Sequence, residues 1–368
     1  MINDIKNCSG CGLCYATCPL NAIKKVERER GTVYFQADDN CVKCGKCVKL
    51  CPSLKDFSND DQKTFLSASV KNEDVFSKSS SGGAAYEIAK KIISIGGVVY
   101  GAAWDIKSQS VKHIKISTIN DICLIQGSKY VQSEIDKNTY EDIVSNLQKT
   151  IVLFIGCPCQ VAALRSLSND HPNLYTVDIV CHGVSSPKLL KEQLNMVVKD
   201  PINSISFRDG LKFRLRVETA NAVYEKRAGQ IPYYSLYLNF ASLRETCYSC
   251  KYANRKRVGD ITVGDYIEDG RGNSLIISNT IKGRSIVEDI KKEIDYVERD
   301  IDLLKVNHSF NQPTEKPKQT DKFTKFYAKY GLKRAYEMSF TKLVIKRKIQ
   351  VLVGDDLIKT IKGLVRCR

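Results

Sequence analysis

Apolar positions along the chain change period several times. Ala85, Ile88, Ala89, Ile92 and Ile93 recur at three- and four-residue steps, which predicts an amphipathic helix opened by Ser79-Ser80-Ser81-Gly82-Gly83. Short apolar runs at Val98–Ala103 and Val111–Ile116 predict strands, Tyr140–Gln148 a helix, and Ile151–Ile155 a buried strand. Beyond Gly156–Cys159, a helix over Gln160–Leu167 and a strand over Leu174–Val180 continue the alternation. Later segments, Ile205–Phe207, Phe213–Glu218 and Ile261–Val263, read as paired antiparallel strands. The body is therefore expected to be mixed α/β, with an α+β character in its later part. Residues 53–80 carry mostly Ser, Asp and Lys, so 58–80 reads as a linker between residues 1–57 and the body. The body divides into 81–149 and 150–300, and 301–368 forms a basic, helical tail.

Cysteine spacing gives the first 57 residues their chemistry. Cys8-x2-Cys11-x2-Cys14-x3-Cys18-Pro19 returns 33 residues later as Cys41-x2-Cys44-x2-Cys47-x3-Cys51-Pro52. Each copy fits the two-cluster bacterial ferredoxin run, in which three thiolates hold one 4Fe-4S cubane and the fourth ligates the other cluster. Cluster I then uses Cys8, Cys11, Cys14 and Cys51, and cluster II uses Cys41, Cys44, Cys47 and Cys18. Zinc modules present separated ligand pairs, commonly with histidine, and need no third cysteine two residues on. Between the runs, Ala22–Glu29 and Thr32–Gln36 flank Arg30-Gly31 as a small hairpin.

Composition changes this picture little. Fifteen cysteines in 368 residues, eight of them before residue 52, fit metal binding in a reducing cytoplasm better than a disulfide scaffold. With a ligand-like cysteine already at position 8, no targeting segment is expected before the module. No apolar run approaches the length of a membrane span. The net charge of +16 first suggests nucleic acid, but 16 Lys/Arg against 6 Asp/Glu in residues 301–368 put +10 of it in the tail. Each cluster with four thiolates also adds roughly −2, so the body is near neutral and no nucleic acid is expected.

Four further segments carry chemistry. Ser79–Gly83 at a helix start suits either a phosphate cradle or a plain N-cap. Gly127-Ser128-Lys129-Tyr130-Val131-Gln132-Ser133 suits a cofactor wall or a surface loop. Gly156-Cys157-Pro158-Cys159-Gln160 and Cys181-His182-Gly183 each end a strand, where α/β proteins place ligands. Cys247-x2-Cys250 precedes Arg255-x-Arg257-x-Gly259-Asp260. Cys159, Cys181, Cys247 and Cys250 could complete a third 4Fe-4S cluster, with Cys157 as an alternate for Cys159. The competing readings are redox disulfides within Cys157/Cys159 or Cys247/Cys250, and buried thiols, the reading preferred for Cys123 and Cys367. In the tail, Lys333–Arg347 interleaves Lys333, Arg334, Lys342, Lys346 and Arg347 with Leu332, Tyr336, Phe340, Leu343 and Val344. That is either a helix packed on its own body or a basic amphipathic helix making peripheral contact with a membrane or an acidic partner.

Taken in order, Ser81-Gly82-Gly83, Gly127–Ser133, Gly156–Gln160 with Leu164, Asp178–Pro187, Cys247-x2-Cys250 and Gly259–Asp265 resemble the coenzyme F420 hydrogenase/dehydrogenase beta-subunit family, as far as about residue 290. The chain departs from the family pattern at Cys157, where Thr is more usual, and at Ile267-Glu268, where Trp-Gly is. The resemblance implies a flavoprotein oxidoreductase that passes electrons between 4Fe-4S clusters, FAD and an organic acceptor or donor. It implies FAD contacts at Ser81, Gly82, Gly83, Ser128, Lys129 and Gln132. His182 is the candidate catalytic residue. Expected partners are a redox protein or low-potential donor and a small organic substrate, either F420-like or from a polysaccharide pathway. A non-catalytic electron-carrier subunit feeding a partner enzyme is the alternative.

Overall fold

The computed structural model describes residues 3, 7–57, 59, 64–268, 271–300, 308–345 and 347. The two cysteine runs fold alike. Gly12 and Gly45 take left-handed backbone angles (φ +81° and +77°) and turn each run into a short helix, Leu13–Thr17 and Lys46–Lys49. These helices pack on each other beside a hairpin of β1 (Ile23–Glu27) and β2 (Val33–Ala37), as the sequence predicts.

The body is built on an eight-stranded mixed sheet. Its strands are β3 (Thr64–Val70), β4 (Val98–Asp105), β5 (Ser110–Ile116), β6 (Val152–Gly156) and β7 (Leu174–Ile179), with three more from later in the chain. A separate antiparallel sheet holds β8 (Ile202–Asp209), β9 (Lys212–Thr219) and β10 (Val223–Arg227). The main sheet is completed by β11 (Ile261–Glu268), β12 (Arg271–Ser278) and β13 (Ile294–Glu298), in the order β13-β3-β12-β11-β7-β6-β4-β5. Strands β4, β6, β7 and β11 run parallel, and the other pairs are antiparallel.

Strand alternation sorts side chains to the two faces. Val99, Leu153 and Val177 meet Ile88, Ile92, Ile286 and Ile290 of helices Ala84–Ser94 and Ile281–Ile290. On the other face, Tyr100, Val152 and Phe154 meet Tyr140, Ile143 and Leu147 of helix Lys137–Leu147 and Val161–Leu164 of helix Pro158–Ser168. A third core joins the small sheet to helices Pro187–Asn195, Pro232–Leu238 and Gln319–Ser339. Among the described residues no helix is long and apolar enough to cross a membrane.

Two expectations need correction, and the described part of the tail takes one of its two readings, that of a helix packed on its own body. Residues 64–78 are not linker: β3 lies inside the main sheet between β12 and β13, and Glu73–Lys78 is helical. Ser67 and Ser69 made the segment look solvated, yet both are buried, Ser67 Oγ accepting Asn273 Nδ2 at 3.0 Å. The rest of that linker, at 58 and 60–63, lies outside the described residues. Ile261–Val263 is antiparallel to β12 but parallel to β7, so it belongs to the main sheet. The tail's apolar side is already used: Phe323, Leu332 and Ala335 are buried in the third core, with Phe340 and Val344 against it. Residues 301–307, 346 and 348–368 of the tail, with Cys367, lie outside the described residues.

Candidate iron-sulfur and cofactor site

Cys8, Cys11, Cys14 and Cys51 line one small cavity with Gly12, Phe35 and Pro52. Burial, then the neighbouring thiols, pushes the Cys11 thiol up to about 12 and raises Cys14 further. Thiols that disfavour lone ionisation this strongly suit a positively charged iron core, which takes the thiolate form. The second set is more open. Cys18 and Cys47 both pack against the small core of Cys14, Ile23 and Phe35, Cys18 accepts the Ala22 N–H at 3.3 Å, and Cys41 and Cys44 neighbour Cys47. Cys44 is exposed, as are Leu20 (51%) and Val42 (68%) beside it. The first set thus faces the body and the second faces solvent.

The module is bolted to the body by side chains that satisfy its loop carbonyls. Arg244 is wholly buried, donates to Cys8 O (3.0 Å) and Val33 O (2.7 Å), and stacks on Tyr34 at 4.1 Å. Tyr140 Oη donates to Cys11 O (2.9 Å) and Tyr252 Oη to Pro52 O (3.0 Å). Arg30 reaches back to Leu243 O at 2.9 Å and to Thr324 of the C-terminal helix. Sequence reasoning missed Arg244, Tyr140 and Tyr252, because their partners lie more than a hundred residues away.

Five thiols gather at the carboxyl ends of the parallel strands. Gly156 of β6 lies opposite Asp178 of β7, so the next turns bring Cys157 and Cys181 together, Sγ to Sγ 3.8 Å. Cys159 sits one residue into the helix from Pro158, where its neighbours are Cys250, Cys181, Cys247 and Cys11. Burial raises Cys159 well above the thiol range and Cys247 to about 12. Among the described residues no three His, Cys, Asp or Glu side chains converge at single-ion distances. A cubane instead takes each thiolate on a separate iron.

A buried ion pair fixes the two chain segments that carry these thiols. Asp178 is wholly buried and accepts from Arg257 Nη2 (2.9 Å), the Val258 and Gly259 N–H groups (3.0 and 2.9 Å) and Thr262 Oγ1 (2.6 Å). Arg257 also donates to Ile179 O at 3.0 Å. Asp260 is likewise structural, binding Thr176 and Thr280.

The segments expected to hold FAD are partly brought together. Ser128 N–H donates to Ser80 Oγ (2.7 Å) and Gln126 Nε2 to Ser79 Oγ (3.0 Å), so the 126–129 turn lies against the start of helix Ala84–Ser94. Gly83 offers that helix no side-chain cap, but the Ala84 N–H donates to Ser274 Oγ at 3.3 Å and the Tyr86 N–H to Gly83 O at 3.0 Å, so the first turn is partly satisfied within the chain. Lys129 donates to Gln126 O (2.7 Å) with no carboxylate partner among the described residues, and burial lowers its ammonium to about 7. Such a site fits a phosphate-bearing cofactor in charge and donor chemistry. Gly82 and Gly83 have a packing reason as well: a Cβ at Gly82 would stand 2.1 Å from Ala68 O, and one at Gly83 2.9 Å from Val70. Ser81 meets Ser274 at 3.2 Å. Gln132 departs from the expectation. Its amide donates to Ser9 O and Gly10 O (3.3 and 3.1 Å) and accepts from Arg244, so it serves the module contact.

His182 follows Cys181 and stacks on Phe240. Its Nδ1 meets Ser309 Oγ at 2.9 Å, and burial, with His308 beside it, lowers it to about 4. His113, which the sequence did not single out, is buried against Phe154 with Nε2 3.1 Å from Ile155 O.

Residues 7–54 match the 4Fe-4S dicluster domain, and residues 149–303 match the C terminus of the coenzyme F420 hydrogenase/dehydrogenase beta subunit. No curated protein matches the chain. Among solved structures, a chain of the F420-reducing [NiFe] hydrogenase complex from Methanosarcina barkeri is similar at 17% identity over 80% of this chain and 94% of that one, with a TM-score of 0.49. This iron-sulfur electron-transfer chain thus carries a 4Fe-4S dicluster domain at residues 7–54 and, over residues 149–303, is similar to the C terminus of the coenzyme F420 hydrogenase/dehydrogenase beta-subunit family.

Proposed function

We propose that the chain is an iron-sulfur flavoprotein oxidoreductase, in which electrons pass between a redox partner protein and a small organic substrate. Cluster II, at Cys18, Cys41, Cys44 and Cys47, is the external station, because Cys44 and the flanking Leu20 and Val42 are exposed. Cluster I, at Cys8, Cys11, Cys14 and Cys51, is the inner station. A third cluster on Cys159, Cys181, Cys247 and Cys250 connects it to the body. The observation that carries this reading is that Cys11 and the body thiols are mutual neighbours of Cys159, with Tyr140 and Tyr252 bridging the two sets.

Lys129, Ser128 and the first turn of helix Ala84–Ser94, whose Ala84 N–H now donates to Ser274, would hold FAD by its phosphates. Bound there, a flavin supplies conversion between the one-electron clusters and a two-electron substrate. His182 is the candidate proton carrier, since it adjoins Cys181 and is held neutral by burial. The family name points to a deazaflavin of the F420 type as the substrate class. The heavy thiol content suits the reducing cytoplasm.

A carrier subunit without flavin, feeding a partner enzyme, is the second reading, favoured by the packing roles of Gly82, Gly83 and Gln132. Flavin content separates the two. Anaerobically purified protein should release FAD on denaturation, or take it up on reconstitution. Protein that does neither refutes the enzyme reading and leaves the carrier.

A further inference from the structure

The two halves of the ferredoxin module present the same three positions to different surroundings. Its cysteine runs are offset by 33 residues, so Gly10, Leu13 and Ala16 of the first correspond to Lys43, Lys46 and Lys49 of the second. In the first run this face is closed against the body. Leu13 and Ala16 are buried in the core that holds Tyr140 and Val161–Leu164, and a Cβ on Gly10 would stand 2.6 Å from Arg244 Nη1. In the second run the face is open, with all three lysines exposed. Lys46 and Lys49 are neighbours on the short helix Lys46–Lys49, and Val42 and Cys44, on either side of Lys43, are exposed as well.

The charge on that open face is unbalanced. Residues 40–55 hold four lysines and no Asp or Glu. The lysines of the neighbouring hairpin are paired, Lys24 with Asp38 at 3.2 Å and Lys25 with Glu134. Lys43, Lys46 and Lys49 make no ion pair among the described residues. Lys43 also sits in the left-handed backbone region (φ +56°), at the position where the first run has Gly10 (φ +72°). That region favours glycine, so the lysine is held there against the preference of its own backbone. Solvated cations around a small apolar contact steer an oppositely charged protein and suit a brief encounter, whereas the apolar face of the first run suits a permanent one.

We infer that this face docks an acidic one-electron carrier protein, whose carboxylates meet Lys43, Lys46 and Lys49 around an apolar contact at Val42. The inference deepens the proposed function and rests on cluster II being the external station. One electron leaves the reduced carrier, which is thereby oxidised, and reduces cluster II, with no bond made or broken. The same face serves when the electron runs the other way.

Anaerobic stopped-flow kinetics on the reconstituted full chain test this, with fully reduced flavodoxin as the acidic probe and the reaction read on the flavodoxin semiquinone it leaves. The parental rate constant should fall about tenfold between about 0.02 and 0.3 M salt. Lys43→Gln/Lys46→Gln/Lys49→Gln should lower the low-salt rate about tenfold and flatten its salt dependence. The variant should keep the parental iron and an undiminished rate with methyl viologen radical, a small cation that needs no lysine. A parent that flavodoxin fails to reduce, a salt-independent parental rate, or a variant reduced by flavodoxin as fast as the parent overturns the inference. So does a variant slowed equally with both reductants, which would make the lysines tuners of the cluster and not a docking face. A parent without the module's iron, about 8 per chain, fails the cluster reading itself, and iron analysis shows that before any kinetics.

Discussion

Asp178→Asn removes a single negative charge from the interior and should disable the body thiol site while sparing the ferredoxin module. The carboxylate is wholly buried and takes four hydrogen bonds, from Arg257, Val258, Gly259 and Thr262. An asparagine there has one acceptor atom instead of two. If its amide nitrogen faces Val258 and Gly259, two N–H donors lose their partner. If it faces the other way, it opposes Arg257 and Thr262, and Thr262 Oγ1 already accepts from Arg257 Nε and Asn279 Nδ2. Each stranded donor costs about 1–3 kcal/mol, and a buried guanidinium without its counter-charge brings the total to about 3–5 kcal/mol.

Against a stability of about 5–15 kcal/mol, that loss is large but survivable. Anaerobic urea denaturation followed by circular dichroism gives the energy, and iron analysis gives the site. Asp178 lies three residues before Cys181, and Arg257 seven after Cys250, so both thiol-bearing turns should loosen. We expect the body cluster's iron to be lost and the module's retained. The double variant Asp178→Leu/Arg257→Met removes both charges and should recover part of the stability. A single variant destabilised by less than about 1 kcal/mol, with parental iron, would refute the clamp.

Arg244→Met strips Cys8 O and Val33 O of their donor and should slow electron transfer from module to body, read by stopped-flow reduction, with the module's own iron unchanged. Lys129→Met should abolish FAD uptake, yet stabilise the cofactor-free protein by about 2 kcal/mol at or below pH 7, where a poorly neutralised ammonium is still forced into the fold. The folded lysine binds fewer protons than the unfolded one between about pH 7 and 10, so parental stability rises across that window and the advantage of the variant fades. Truncation after residue 318 uncovers the third core by removing Phe323, Leu332, Ala335 and Tyr336 and should give insoluble protein, whereas a tail serving only as a membrane contact would leave a stable body.

What the sequence revealed was what local spacing encodes. The 33-residue cysteine repeat, the hairpin between its halves and the strand-end positions of Cys157 and Cys181 are all readable over a few residues, and the fold places them as expected. Strand β3 escaped because its buried serines look like linker residues until Asn273 and the neighbouring strands cover them. Gln132 is expected at the cofactor because the family resemblance implies it and because the mixed small, basic, aromatic and amide groups of Gly127–Ser133 suit a cofactor wall as well as a surface loop. Its actual partners, Ser9, Gly10 and Arg244, come from distant parts of the chain. The same distance hid Arg244 and Tyr140, whose value lies wholly in tertiary contacts.

The claim that electrons cross from a ferredoxin module into a body with its own cluster is tested most directly by counting iron. Anaerobically reconstituted protein should hold about 12 iron per chain, and Cys247→Ala/Cys250→Ala should hold about 8 with the two module clusters intact. A parent with about 8 iron, unchanged in the double variant, would contradict the account.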